Sequence, residues 1–153
     1  MIKNIIKGLI LLTFICFYFS FSVSAETKSE KYLGKRVPCL RTANIYSTYV
    51  LDDQTMLFET VFGVVYINRL PGRCHGLKVS DGYSYNPIAG KVCKFDLIRV
   101  LESSYGATIS CGLGEFIELK GLKNIRTAMK ILKDEGILEI LVKEDAFKKN
   151  IKE

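Results

Sequence analysis

The sequence predicts a mainly β domain: a small antiparallel barrel or sandwich of five to six strands, stapled by two disulfides and followed by a C-terminal helical extension. Three observations predict it. Short runs rich in β-branched and aromatic residues recur between glycine- and proline-marked turns from Val37 to Leu119. Four cysteines, Cys39, Cys74, Cys93 and Cys111, fall within the same stretch. Beyond Gly121 the apolar residues change to helical spacing.

The first residues carry an address. Lys3 and Lys7 form a basic start, Leu9 to Phe21 is nearly continuous hydrocarbon, and Val23-Ser24-Ala25 places compact residues where a signal peptidase reads. The apolar run is short for a span of about 20 residues. Cys16 follows Thr13-Phe14-Ile15, without the small residue that normally precedes a lipidated cysteine. Residues 1–25 therefore read as a cleaved signal peptide, 26–36 as a flexible leader, 37–119 as a disulfide-bonded β domain and 120–153 as an amphipathic helical extension. The expected location is periplasmic or secreted, with no transmembrane span after cleavage.

Charge narrows the partners. The net charge is +6, of which Lys3 and Lys7 belong to the signal, leaving about +4. That is far from the dense Lys/Arg stripe of a nucleic-acid binder, and an exported protein rarely meets nucleic acid. Repeats and low-complexity segments are absent.

An even number of cysteines in a small exported domain reads as two disulfides. Zinc sites usually pair ligands two to four residues apart. These cysteines stand much farther apart, and His75 is the single histidine. No Cys-x-x-Cys pair suggests redox chemistry. Neither a metal nor another cofactor is expected. Of the three connectivities, the nested one is favoured: Cys74–Cys93 inside Cys39–Cys111. The inner loop, with Gly76, Gly82, Pro87 and Gly90, has little apolar content of its own to order it.

The elements follow in order. Ile45 to Val50 is a strand, and Asp52-Asp53-Gln54 turns it. Thr55 to Phe62 alternates, with Met56, Phe58 and Phe62 on one face and Leu57, Glu59 and Val61 on the other. Gly63 breaks the chain before a strand from Val64 to Leu70, and Pro71-Gly72 turns it again. Val92 to Leu101 is a further strand. Thr108 to Cys111 and Phe116 to Leu119 read as two strands around a tight turn at Gly112-Leu113-Gly114. A closed barrel would hide the strand edges. Leu122, Ile125, Met129 and Leu132 then form one helical face opposite Lys123, Arg126, Lys130 and Lys133, with Gly136 as a stop. The face suits packing on the sheet better than lying on a membrane. Residues 137–142 suit strand or helix.

Several of these residues carry a resemblance: Cys39, Leu51-Asp52-Asp53, Tyr66, Cys74-x-x-Leu77, Cys93-x-x-Asp96-x-Ile98 and Cys111-x-Leu113-Gly114-x-Phe116. Over about 39–119 the chain resembles an uncharacterised family of small exported four-cysteine proteobacterial proteins, known as a domain of unknown function. The resemblance implies export, disulfides and a β-rich fold, and brings no activity.

Catalytic signals are sparse. His75 is the single imidazole of the chain, but no partner in the sequence orients it as a general base. Asp52 and Asp53 suit a turn, where Asp side chains accept from nearby backbone N–H groups. Asp96 interrupts an apolar run and needs a hydrogen bond or a cation, from Arg99 or a backbone N–H, so its expected role is structural. No nucleophile elbow or phosphate-cradling loop is present. Arg69, Arg73, His75, Lys78, Lys91 and Lys94 cluster in sequence around the 74–93 segment, with Tyr83 and Tyr85 inside it. Arg73, His75, Lys78, Tyr83, Tyr85 and Lys91 are the candidate contact residues for an anionic envelope glycan, a lipid headgroup or a protein. The expected function is a non-enzymatic binding or envelope-associated module. The alternative is a small periplasmic hydrolase using carboxylates or His75.

Overall fold

The computed structural model describes residues 31–80, 82–101, 109–139 and 141. The signal-peptide reading of 1–25, and the helical extension from residue 142 on, lie outside the described residues. Ten strands are present among the described residues: β1 (Leu33–Val37), β2 (Cys39–Arg41), β3 (Ile45–Asp52), β4 (Thr55–Thr60), β5 (Val65–Arg69), β6 (Gly82–Tyr85), β7 (Lys91–Cys93), β8 (Leu97–Leu101), β9 (Ile109–Gly112) and β10 (Phe116–Leu119). The α-helix α1 (Ile125–Asp134) follows them. The fold is mainly β and antiparallel, with two disulfides and a short C-terminal helix. The strands form three separate sheets, β1-β10-β5-β4-β3, β2-β7 and β6-β8-β9, and do not close into a barrel.

The strand count exceeds the expected five to six for local reasons. Leu33 already pairs with Leu119, so the leader expected through residue 36 gives way to β1. The segment read as one strand from Val92 to Leu101 is two, because residues 94–96 turn between β7 and β8. The expected hairpin around Gly112-Leu113-Gly114 is not one. β9 pairs with β8, whereas β10 pairs with β1 and β5, so the chain changes sheet there.

The five-stranded sheet is buried on both faces, which explains the sequence of β4. Met56 and Phe58 enter one core with Leu40, Leu70, Val92, Ile98, Val100 and Phe116, beneath the two small sheets. Leu57 enters the other, with Val65, Ile67, Ile117 and Leu119, beneath Ala128 and Leu132 of α1. A strand covered on both sides reads as a continuous apolar run. Val61 and Phe62, expected to continue the alternation, lie beyond the strand and are exposed.

Helix α1 starts where Asn124 accepts from the Thr127 N–H (2.8 Å) and Glu59 Oε2 accepts from the Ile125 N–H (3.1 Å). Lys133 lies in the last turn, where the helix dipole favours a cation. Its basic face is exposed and its apolar face packs on the sheet. Past Gly136 the chain is helical again at residues 137–139, with Ile137 and Leu141 buried in the same core.

The disulfides correct the nested pairing. Cys39 is joined to Cys93, and Cys74 to Cys111, with Cα atoms 3.9 and 5.8 Å apart. Strand pairing decides this. Antiparallel β2 and β7 set Cys39 directly opposite Cys93. On β9, Cys111 stands opposite Ile98, so both point into the core that also holds Cys74.

Candidate functional site

Two turns, one on each side of β7, build an open cleft of about 270 Å³ at the end of the β6-β8-β9 sheet. Before β7, Ile88 and Lys91 exchange backbone hydrogen bonds of 3.1 Å each way, closing a two-residue turn at Ala89 and Gly90. Both have positive φ, 51° and 68°, as the tightest hairpin turns require. Alanine is an unfavourable choice there. The turn leaves Ile88 exposed on the cleft wall.

After β7, Asp96 organises the second turn. Its Oδ2 accepts from the Cys93 N–H at 2.7 Å, and its own N–H donates to the Cys93 carbonyl at 3.1 Å. Between them the Lys94 N–H donates to the Pro38 carbonyl at 2.7 Å. Phe95 is driven to φ 73°, a conformation that bulky side chains rarely adopt. Leu113, in the segment between β9 and β10, clamps it. The Phe95 N–H donates to the Leu113 carbonyl and the Leu113 N–H to the Asp96 carbonyl, both at 2.9 Å.

The clamped backbone turns the Phe95 ring outward, 69% exposed. Lys94 Nζ lies 5.0 Å from the ring centroid and 2.9 Å from Glu115 Oε1, while Glu115 also meets Arg36 at 3.7 Å. Leu97 and Arg99, on the outward face of β8, continue the cleft floor, and Ser84, Tyr85 and Asn86 form the far wall. The side chains of Ser84, Asn86 and Arg99 and the Tyr85 hydroxyl make no hydrogen bond or ion pair among the described residues.

The residues nominated from sequence divide among several places. Arg73 and Lys78 meet at Asp53: Arg73 by an ion pair of 3.5 Å, Lys78 through its backbone N–H at 3.0 Å. The Lys78 ammonium donates to the Val50 carbonyl at 2.8 Å and covers the Tyr49 ring. His75 is exposed and does not line the cleft. Tyr83 packs against the first core with its hydroxyl bonded to Thr48. Burial raises that hydroxyl's pKa, the Thr48 bond opposes the shift, and the neighbouring Tyr85 adds to it. Tyr85 stacks on Tyr83 with centroids 6.5 Å apart and reaches the cleft. Lys91 is exposed directly across the β2-β7 ribbon from Arg41. Like charges so placed repel one another. Asp53 is indeed a turn residue, and Asp52 Oδ1 accepts from the Gln54 N–H at 2.7 Å.

Tyr85 and Asp96 are thus brought together, and Phe95, Ile88, Leu97 and Arg99 line the same cleft without being among the sequence-nominated contact residues. A signal existed. Two-residue alternation from Val92 to Ile98 would bury Lys94 and Asp96 along with them, so an unbroken strand was the wrong reading.

Among the described residues no three His, Cys, Asp or Glu side chains are grouped to hold a metal, and no helix is long and apolar enough to cross a membrane. Comparison of the chain with protein-family models, curated proteins and solved structures returns no match.

Proposed function

We propose that this chain is an exported binding module, periplasmic or secreted, that acts without catalysis and uses the Phe95 cleft as its contact surface. The observation that supports it best is Phe95 itself. An aromatic ring is held in solvent by a strained backbone that two turns and Leu113 keep in place. Strain of this kind, on the order of 1–3 kcal/mol, collects at ligand-contacting positions. The four-cysteine resemblance and the two disulfides favour an oxidising, exported setting. The partner is an envelope component: an anionic glycan, a lipid headgroup or a protein. The like-charged pair Arg41 and Lys91, beside the Ile88 turn, would gain from a nearby anion.

The hydrolase alternative needs His75 and a carboxylate in one pocket. The cleft holds Asp96 without His75, and the Asp96 carboxylate is engaged by the Cys93 N–H. No observation favours that reading.

Mass spectrometry of the exported protein tests the address and should show a chain starting at Glu26. Retention of envelope material on immobilised protein tests the role. Phe95→Gly should lose the retained component while melting at the same temperature as wild type or higher. Equal retention by the variant would overturn the cleft as the contact surface.

A further inference from the structure

We propose that the Phe95 cleft takes one uncharged sugar ring of a glycan; this rests on the binding role argued above and names its ligand. Volume sets the scale. Pockets for drug-sized ligands run from about 300 to 1,000 Å³, so an open cleft of about 270 Å³ suits a single ring-sized group. Shape sets the kind of group. The Phe95 ring and Ile88 offer an exposed apolar surface, against which the C–H face of a sugar ring can lie.

The polar groups decide between classes. The side chains of Ser84, Tyr85, Asn86 and Arg99 leave hydrogen-bonding capacity unspent among the described residues, and all four residues line one cleft. Arg99 and Asp96 share that cleft without an ion pair between them. A simple anion would be drawn to Arg99 and repelled by Asp96. A hydroxyl group serves both, accepting from the guanidinium and donating to the carboxylate. An uncharged ring bearing several hydroxyls therefore uses the whole lining, where a carboxylate uses part of it. Acidic units of the same glycan would lie outside the cleft, nearer Lys91 and Arg41.

The test is amide chemical-shift titration of the disulfide-intact exported protein. The probes are uncharged oligosaccharides of glucose, galactose, mannose and N-acetylglucosamine, an acidic oligogalacturonate, and the dipeptide Ala-Asp, a net anion at neutral pH. An uncharged oligosaccharide should shift the amides of residues 84–88 and 95–99 saturably, with little change between low and high salt. Phe95→Gly should weaken it about tenfold, Phe95→Tyr should restore it, and Arg99→Gln should weaken it without moving the melt. If the acidic sugar or the dipeptide alone shifts these amides, the uncharged-sugar inference fails and the binding role stands. Failure of every probe, with envelope retention still dependent on Phe95, also sinks the sugar alone. Failure of every probe with retention independent of Phe95 sinks both.

Discussion

Asn68 is bonded twice to Gly114: its side-chain N–H donates to the Gly114 carbonyl, and its Oδ1 accepts from the Gly114 N–H, both at 2.9 Å and both buried. The pair fixes the point at which the chain leaves the β6-β8-β9 sheet and enters β10. It also fixes Leu113, which clamps Phe95 from one residue away. A Cβ on Gly114 would fall 1.9 Å from the Arg69 carbonyl oxygen, a clash with backbone that no rotamer relieves.

Gly114→Ala should therefore be among the most damaging single changes, preventing folding or lowering the melt drastically. Asn68→Leu leaves two buried backbone groups of Gly114 unpaired, at about 1–3 kcal/mol for each. Urea unfolding should show a loss of roughly 2–6 kcal/mol, and a loss below about 1 kcal/mol would contradict the geometry.

The disulfides close loops with sequence separations of 54 and 37 residues. In the chain-entropy account each contributes about 4 kcal/mol, a large part of a small domain's stability. Peptide mapping without reduction should recover Cys39 linked to Cys93 and Cys74 linked to Cys111. The Cys74→Ala/Cys111→Ala pair should cost more than the Cys39→Ala/Cys93→Ala pair, because Cys74 is wholly buried in the first core. Equal melts for the two double variants would refute that ordering.

Ala89, at φ 51°, occupies a conformation that favours glycine and asparagine. Ala89→Asn or Ala89→Gly should stabilise the fold by about 0.5–1 kcal/mol, since the residue is exposed and no packing is lost. Thermal melts check it; an unchanged or lower melt would show that the turn is not strained there.

Tyr83 predicts the alkaline limit. Its folded pKa is raised, by burial first, so the unfolded chain gives up this proton sooner as pH rises. Above about pH 10 the folded state binds more protons than the unfolded state, and stability falls with pH. Below that value the contribution is complete. Tyr66 shifts in the same direction, by burial and then by the Glu118 charge. Tyr83→Phe should lose the Thr48 bond at neutral pH yet show a shallower decline above pH 10. An equal decline in both proteins would assign the alkaline loss elsewhere.

What the sequence determined by itself is local. Alternation, turn residues and helical spacing depend on neighbours along the chain, so β3, β4, β5, β10 and α1 could be read directly, as could the even cysteine count and the turn at Asp52-Asp53. What the tertiary structure decided depends on which strands become neighbours. Cys39 meets Cys93 because β2 pairs with β7, and the Gly112–Gly114 segment crosses between sheets because Asn68 receives Gly114. Arg73 and Lys78 are drawn to the 50–53 segment by contacts 20 to 28 residues apart. The cleft belongs to the second kind. Phe95 reads as one residue of an unbroken strand until Asp96 turns the backbone under it, and Leu113, 18 residues on, holds that backbone in place.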